Sequence, residues 1–160
     1  MNPEDIRNIK YSPMLVSEIL YHFCMGSKRV EERGVKLELI YLVLPFIMEE
    51  EFRAKLKSSN VNSTFKTAFL DKKLNLKEKL FYINDRVKYS KKVTNDGLIY
   101  LNSICHISVD DYFNIHCEIE DISSSNDIKS EYLKAAYNLG SIFAKEGYVN
   151  VFLKAKVKNI

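Results

Sequence analysis

Residues 37–48 read LELIYLVLPFIM and form the longest apolar run of the chain, interrupted only by Glu38. A helix that crosses a bilayer needs about 20 apolar residues, so this run predicts a buried core helix and no membrane span. Pro45 lacks a backbone N–H and predicts a kink in a helix over residues 36–57. The second half of that helix is charged, beginning with three glutamates at 49–51, and is expected to reach water.

Helical signals continue on both sides of this run. Ser12 and Pro13 are typical of a helix start, with serine as the N-cap and proline at the first helical position. Residues 64–73 predict a short helix with Phe65, Ala68 and Phe69 facing inward. A further helix over residues 76–89 is indicated by apolar residues at i, i+4, i+7 and i+11, namely Leu76, Leu80, Ile83 and Val87.

The next segment predicts a winged-helix-like portion. A turn is expected at residues 90–93, and Thr94 is a suitable N-cap for a helix that ends near residue 104. The hydrophobic period then changes to two, which predicts strands at 107–109 and 112–119 joined by a turn at Asp110 and Asp111. The order helix, turn, helix and hairpin over residues 76–119 is that of a winged helix.

The final segment predicts a helix over residues 128–146 with Gly147 as its C-cap, followed by a short strand or extended tail at 148–160. The expected fold class is therefore α+β and predominantly helical. One domain over residues 1–160 would contain a helical lobe (11–73), the winged-helix-like portion (76–119) and a C-terminal helix with its tail (128–160).

Composition excludes several classes of protein. The 160 residues are 46% hydrophobic, with 10 Tyr and 9 Phe, which rules out a disordered chain. A net charge of +3 is too small to indicate nucleic-acid binding by itself. The first ten residues lack the apolar run of a signal peptide, and three cysteines, an odd number, argue against a disulfide framework. Both observations predict a cytoplasmic protein with reduced thiols.

The histidines and cysteines raise the question of a metal or thiol site. If the hairpin turn has two residues, Cys105 faces His116 across the strands, which is half a zinc site or a nucleophile–base pair. The sequence has no CxxC or HExxH motif and no third partner at ligand spacing. We therefore interpret these residues as core packing, because a free cysteine often only fills buried space. Phosphate-binding glycine loops and a GxSxG motif are absent from the sequence, so no cofactor and no catalytic residue is predicted.

Charge is distributed unevenly along the chain. Residues 51–92 contain 12 Lys or Arg against 4 Asp or Glu, whereas residues 105–131 contain 7 acids and one Lys. The ordinary interpretation is a set of solvated helix faces. The functional interpretation is a basic patch that faces phosphates or an acidic partner. Its members are Lys72, Lys73, Lys77, Lys79, Arg86, Lys88, Lys91 and Lys92.

A sequence-specific DNA reader does not fit the winged-helix expectation. The second helix of that motif enters the major groove, yet residues 95–104 contain no Lys or Arg. Asp96 and the hairpin-tip residues Asp110 and Asp111 would meet phosphates with the wrong sign. A winged helix with such a face is better suited to binding protein.

Several short stretches resemble one family when their order and spacing are taken together. They are LVLP at 42–45, Arg53 and Leu56 about two turns later, Arg86, the helix at 94–101, and LGSIFA at 139–144 before Gly147. In this order the chain resembles the middle component of bacterial three-component ABC ATPase systems of the Lamassu type. Two departures are Ser12-Pro13, where the family would have Asn-Pro, and the long basic run at 72–79.

The resemblance implies a non-enzymatic accessory subunit. Its partners would be an ABC ATPase resembling SMC proteins and an effector, often a nuclease, in a complex that senses foreign DNA from phages or plasmids. The subunit would hold the ATPase heads and restrain or position the effector, with Arg53, Asp110 and Asp111 as candidate interface residues. It would contact DNA weakly or only through the complex. The alternatives are a DNA-binding winged-helix regulator acting alone and a small metal or thiol enzyme.

Overall fold

The computed structural model describes residues 2–72, 75–117 and 128–160. Within these ranges a mainly helical chain carries one antiparallel pair of strands, which confirms the predominantly helical α+β class. The helices are α1 (Pro3–Lys10), α2 (Pro13–Lys28), α3 (Leu37–Ile47), α4 (Glu50–Lys57), α5 (Phe65–Phe69), a 3-10 helix (Glu78–Tyr82), α6 (Ile83–Ile104), α7 (Ile128–Glu146) and α8 (Tyr148–Ala155). The strands are β1 (Ile107–Val109) and β2 (Phe113–Ile115).

The apolar run at 37–48 forms α3, which is buried as expected. Its expected kink is a full break: α3 ends at Ile47, and α4 begins at Glu50 after extended backbone at Glu49. Arg53 donates a hydrogen bond of 3.0 Å from Nη1 to the carbonyl oxygen of Ile47, which satisfies an acceptor at the end of α3. Five fully buried phenylalanines pack in edge and stacked contacts around this break: Phe46, Phe52, Phe65, Phe69 and Phe143.

Helices α2 and α7 approach each other closely at two glycines. A Cβ built on Gly140 would overlap the carbonyl oxygen of Phe23, and one on Gly26 would overlap that of Tyr137. Ser141 donates from Oγ to the carbonyl oxygen of Gly26 at 2.8 Å. The LGSIFA stretch is therefore a helix-packing motif, because only a glycine fits between the two backbones.

The predicted helix–turn–helix is wrong. Residues 90–93 lie inside α6, which is continuous for 22 residues, and Thr94 is a fully buried helical residue and not an N-cap. The buried positions Ile83, Val87, Thr94 and Leu101 continue a single helical face through the expected turn. With that turn gone, the winged-helix-like portion keeps only its hairpin, and the stand-alone DNA-binding regulator loses its structural basis.

The hairpin register differs from the expected one by one residue. Ile107 pairs with Ile115, so the turn has three residues, 110–112, and Cys105 lies opposite Cys117 instead of His116. Cys105 and Cys117 form a disulfide, which corrects the expectation of free thiols at these positions. Val35 pairs with Phe113 on the outer edge of β2, tying the hairpin to the loop before α3. Residues 118–119 of the predicted second strand lie outside the described residues.

The C-terminal segment also differs from its predicted secondary structure. Helix α7 buries Tyr132, Ala136, Leu139 and Phe143 as expected, and Gly147 follows it at a φ of 79°. Residues 148–155, expected to be extended, form α8, because Val151 and Ala155 are spaced i, i+4 and are fully buried. The β-branched residues of this segment are helical because tertiary packing outweighs their local preference for a strand.

One hydrophobic cluster includes buried side chains from each of the three predicted segments. Among the described residues, no helix is long and apolar enough to cross a membrane.

Candidate interaction surfaces

The predicted basic patch divides into exposed and paired cations. Lys72, Lys77, Lys88, Lys91 and Lys92 are exposed, whereas the structure does not describe Lys73. Lys79 and Arg86 instead form ion pairs with the glutamates at the start of α4. The exposed members therefore carry the unpaired charge of the patch.

Glu49 is the centre of the paired cluster. Its Oε1 lies 2.7 Å from Lys79 Nζ, its Oε2 bonds Arg86 Nη2, and its side chain is only 15% exposed. Lys79 Nζ also lies 2.9 Å from Glu51 Oε1. Burial alone would raise the pKa of Glu49, but the Lys79 hydrogen bond and the Arg86 and Lys79 charges outweigh it and lower that pKa. The cluster joins α4, the 3-10 helix and α6.

A cleft of about 500 Å³ lies beside this cluster. Its floor is apolar and comes from α3, and its wall is formed by one face of α6. Among the described side chains, Arg86 Nη1 is buried there without a hydrogen-bond partner. The lining residues are Tyr11, Leu44, Pro45, Met48, Glu49, Arg86, Tyr89, Ser90 and Val93.

An apolar strip runs along α6 on both sides of the cleft. It consists of Tyr82, Tyr89, Val93, Tyr100 and Ile104, and is called here the α6 face. Tyr89 is 80% exposed, Tyr82 61% and Ile104 52%. Their spacing of 7, 4, 7 and 4 residues approximates whole turns of a helix with 3.6 residues per turn, so they share one side. The strip is about 33 Å long, since each helical residue adds about 1.5 Å.

The three candidate interface residues have different surroundings. Arg53 makes contacts within the fold. Its guanidinium lies 4.3 Å from the centre of the Tyr132 ring and donates the hydrogen bond to the Ile47 carbonyl oxygen at the end of α3. Asp110 and Asp111 are exposed at the hairpin tip, and the Asp110 N–H donates to the Tyr112 carbonyl oxygen. The two aspartates are therefore available to a partner.

The structure shows the surroundings of the cysteines and of two histidines. The disulfide removes the Cys105 and Cys117 thiols, and burial raises the pKa of the Cys24 thiol to about 12. The His106 and His116 rings lie 5.5 Å apart, and His116 Nε2 is 2.7 Å from Ser108 Oγ. Among the described residues, no group of three or more His, Cys, Asp or Glu side chains could hold a metal ion.

The C-terminal tail packs against α6 and brings basic residues there that the sequence patterns did not indicate as part of a site. Asn84 of α6 donates from Nδ2 to the Lys156 carbonyl oxygen at 2.7 Å and accepts from the Lys158 N–H at 2.9 Å. The Lys156 ammonium lies 3.8 Å from the centre of the Phe81 ring. The alternating basic residues at 154, 156 and 158 were the available signal, but no spacing rule joins them to a residue 72 positions earlier.

Comparison with known proteins shows which family the chain is similar to. Residues 2–159 match the family described as ABC-three component (ABC-3C) system Middle Component 3. No curated protein and no solved structure matches the chain. Because the match covers nearly the whole sequence, the chain belongs to the Middle Component 3 family of ABC-three component systems.

Proposed function

We propose that this chain is a non-enzymatic scaffold subunit that binds the ABC ATPase component of its system through the α6 face and the adjoining cleft. The observation that carries the proposal is the strip of three exposed tyrosines and an isoleucine along α6. Membership of a three-component family supports it, since a middle component operates with other components.

The chemistry of the α6 face suits a protein partner. Tyrosine is enriched in interfaces because its ring buries a large apolar area and its hydroxyl finds a polar partner. The cleft offers space for an inserted anchor side chain, with Leu44, Pro45 and Met48 as an apolar floor. A partner helix that inserts an apolar side chain would fit this cleft.

A second surface is assigned to the effector component. Asp110 and Asp111 extend from the hairpin tip beside Val109, which is 51% exposed. Binding of the ATPase at α6 and of the effector at the hairpin would let the subunit restrain or position a nuclease-type effector. The exposed lysines of the basic patch would then contact DNA in the assembled complex. In this proposal the system is a cytoplasmic, Lamassu-type defence against phages or plasmids. The cytoplasmic assignment rests on the family, because the disulfide removes the argument from reduced thiols.

Affinity measurement with the ABC ATPase component tests the proposal. Tyr89→Ala and Ile104→Ser should each weaken binding at least tenfold, which corresponds to about 1.4 kcal/mol. Ile99→Ser is the matched control, because Ile99 is 70% exposed on the same helix but about 80° around it from Tyr89. Unchanged affinity for the two face variants, with unchanged melting temperatures, would contradict the docking assignment.

A further inference from the structure

We propose that the docked C-terminal tail completes a binding surface for single-stranded nucleic acid, formed by Lys77, Lys88, Lys91, Lys156 and Lys158 around Phe81. This set is called here the tail–α6 surface. The inference deepens the DNA contact in the proposed function and rests on it, while it is independent of the α6 face.

The tail is fixed in place by specific hydrogen bonds. Lys156 adopts a left-handed conformation with a φ of 57°, which turns the chain at the end of α8. Asn84 then holds the tail with two bonds, accepting from the Lys158 N–H and donating to the Lys156 carbonyl oxygen. The Val157 N–H also donates to the Phe152 carbonyl oxygen at 3.0 Å. These contacts place two lysines beside the first turns of α6.

The tail joins a line of polar residues that already runs along α6. Asn84, Lys88, Lys91 and Asn95 are spaced i, i+4, i+7 and i+11, so they share one helical face. Lys77 is exposed and directly precedes the 3-10 helix that leads into α6. This face lies on a different side of α6 from Tyr89, because Asn84 and Tyr89 are about 140° apart around the helix.

The cations of this surface are not neutralised by the described residues. Lys57, Lys79, Lys129 and Lys154 each form an ion pair with a glutamate. In the described part of the chain, no carboxylate forms such a pair with the five lysines of the tail–α6 surface, and the lysines on α6 are exposed. Several unpaired ammonium groups in one area attract a phosphate backbone and release its condensed counterions.

An exposed aromatic ring indicates a single strand as the ligand. Phe81 is 58% exposed even with the Lys156 ammonium over its ring. Bases of a single strand stack on such rings while lysines track the backbone, whereas bases in a duplex are already stacked on each other. The continuous α6 offers no helix–turn–helix for reading a duplex groove.

Fluorescence anisotropy with the full chain tests this surface, using a 20-nucleotide oligothymidylate and a duplex of equal length at several salt concentrations. Lys156→Glu with Lys158→Glu should weaken single-strand binding about tenfold or more, and the salt slope should fall by about 0.7 for each lost contact. Phe81→Ala should weaken binding about fivefold or more through lost stacking. The charge-matched control is Lys66→Glu with Lys134→Glu, two exposed lysines on α5 and α7, which should change binding much less.

A positioning variant separates docking of the tail from its charge. Asn84→Ala keeps all five lysines but removes both hydrogen bonds that hold the tail, so single-strand affinity should fall at least threefold while the melting temperature changes little. Unchanged affinity in Asn84→Ala and in the tail double variant would overturn the inference.

Two further results overturn parts of the account separately. If Lys72→Glu with Lys92→Glu weakens binding but the tail variants do not, DNA contact stands and the tail assignment fails. If none of the charge reversals weakens binding, the proposed DNA contact fails as well. Tighter binding to the duplex, or equal competition by polyglutamate, would overturn the assignment to single-stranded nucleic acid.

Discussion

Glu49 illustrates how one side chain can organise several elements. Its carboxylate binds Lys79 and Arg86, and its pKa is held below the ordinary value of a glutamate. A carboxyl group with a lowered folded pKa contributes stability above its unfolded pKa and loses that contribution as pH falls through the folded value. The glutamate triplet at 49–51 looked like a solvated face, but Glu49 is turned inward by the break between α3 and α4.

Glu49→Gln should therefore lower the free energy of unfolding at pH 7 by about 1–3 kcal/mol, because a neutral amide replaces the carboxylate that pairs with Arg86 and Lys79. The wild type should lose more stability than the variant between pH 6 and pH 3, so their unfolding curves converge in acid. Urea denaturation of both proteins between pH 6 and pH 3 measures this difference in the free energy of unfolding. A constant difference between the two proteins at every pH would show that the Glu49 charge is not responsible.

The cysteines give a second prediction at this scale. The pairing of Cys105 with Cys117 leaves Cys24, which is buried, as a thiol with a pKa of about 12. The oxidised native protein should not react with a thiol reagent at pH 8. One thiol should titrate after denaturation and three after reduction. Three reactive thiols before reduction would contradict the disulfide, and Cys105→Ala serves as the control in which Cys117 is freed.

At the scale of helix pairs, the contact between α2 and α7 depends on the absence of a side chain at Gly140. Gly140→Ala should lower the free energy of unfolding by about 2–3 kcal/mol through overpacking, even though alanine favours a helix more than glycine does. Lys134→Ala on the exposed side of α7 is the control and should be close to neutral. Thermal denaturation checks both, and a stabilised Gly140→Ala protein would rule out the close contact.

The continuity of α6 can be tested in the same way. Lys92→Pro places proline in the middle of an uninterrupted helix and should cost about 3 kcal/mol or more, whereas a true turn at residues 90–93 would accept it. Lys92→Ala controls for the loss of the lysine. A Lys92→Pro protein with wild-type stability would restore the helix–turn–helix expectation.

Element prediction from the sequence succeeded for burial where hydrophobic spacing was regular, but not for every helix boundary. The helix expected over residues 76–89 is α-helical only from Ile83, after a 3-10 helix at Glu78–Tyr82. Leu76, Leu80, Ile83 and Val87 are all buried as their spacing indicated. It failed at Thr94, because a threonine suited to capping is equally compatible with a buried helical position. The segment around Val151 was misjudged because its β-branched residues become helical through packing that only the folded chain provides.

At the scale of the whole molecule, long-range contacts define the candidate surfaces, and these contacts have no sequence signature. The three-residue hairpin turn shifted the register by one and converted a Cys–His pair into a disulfide. Lys79 and Arg86 were correctly seen as basic, but their glutamate partners lie 30 and 37 residues away and reduce their availability. The family resemblance, by contrast, was readable because its short stretches keep their order over almost the whole chain.

The central claim is that the α6 face contacts the ABC ATPase component. A photo-reactive phenylalanine analogue placed at position 89 should crosslink to that component in the assembled complex, because Tyr89 is the most exposed residue of the face. The same group at position 99, exposed on another side of the same helix, should crosslink weakly or not at all. Crosslinking from position 99 but not from position 89 would contradict the account.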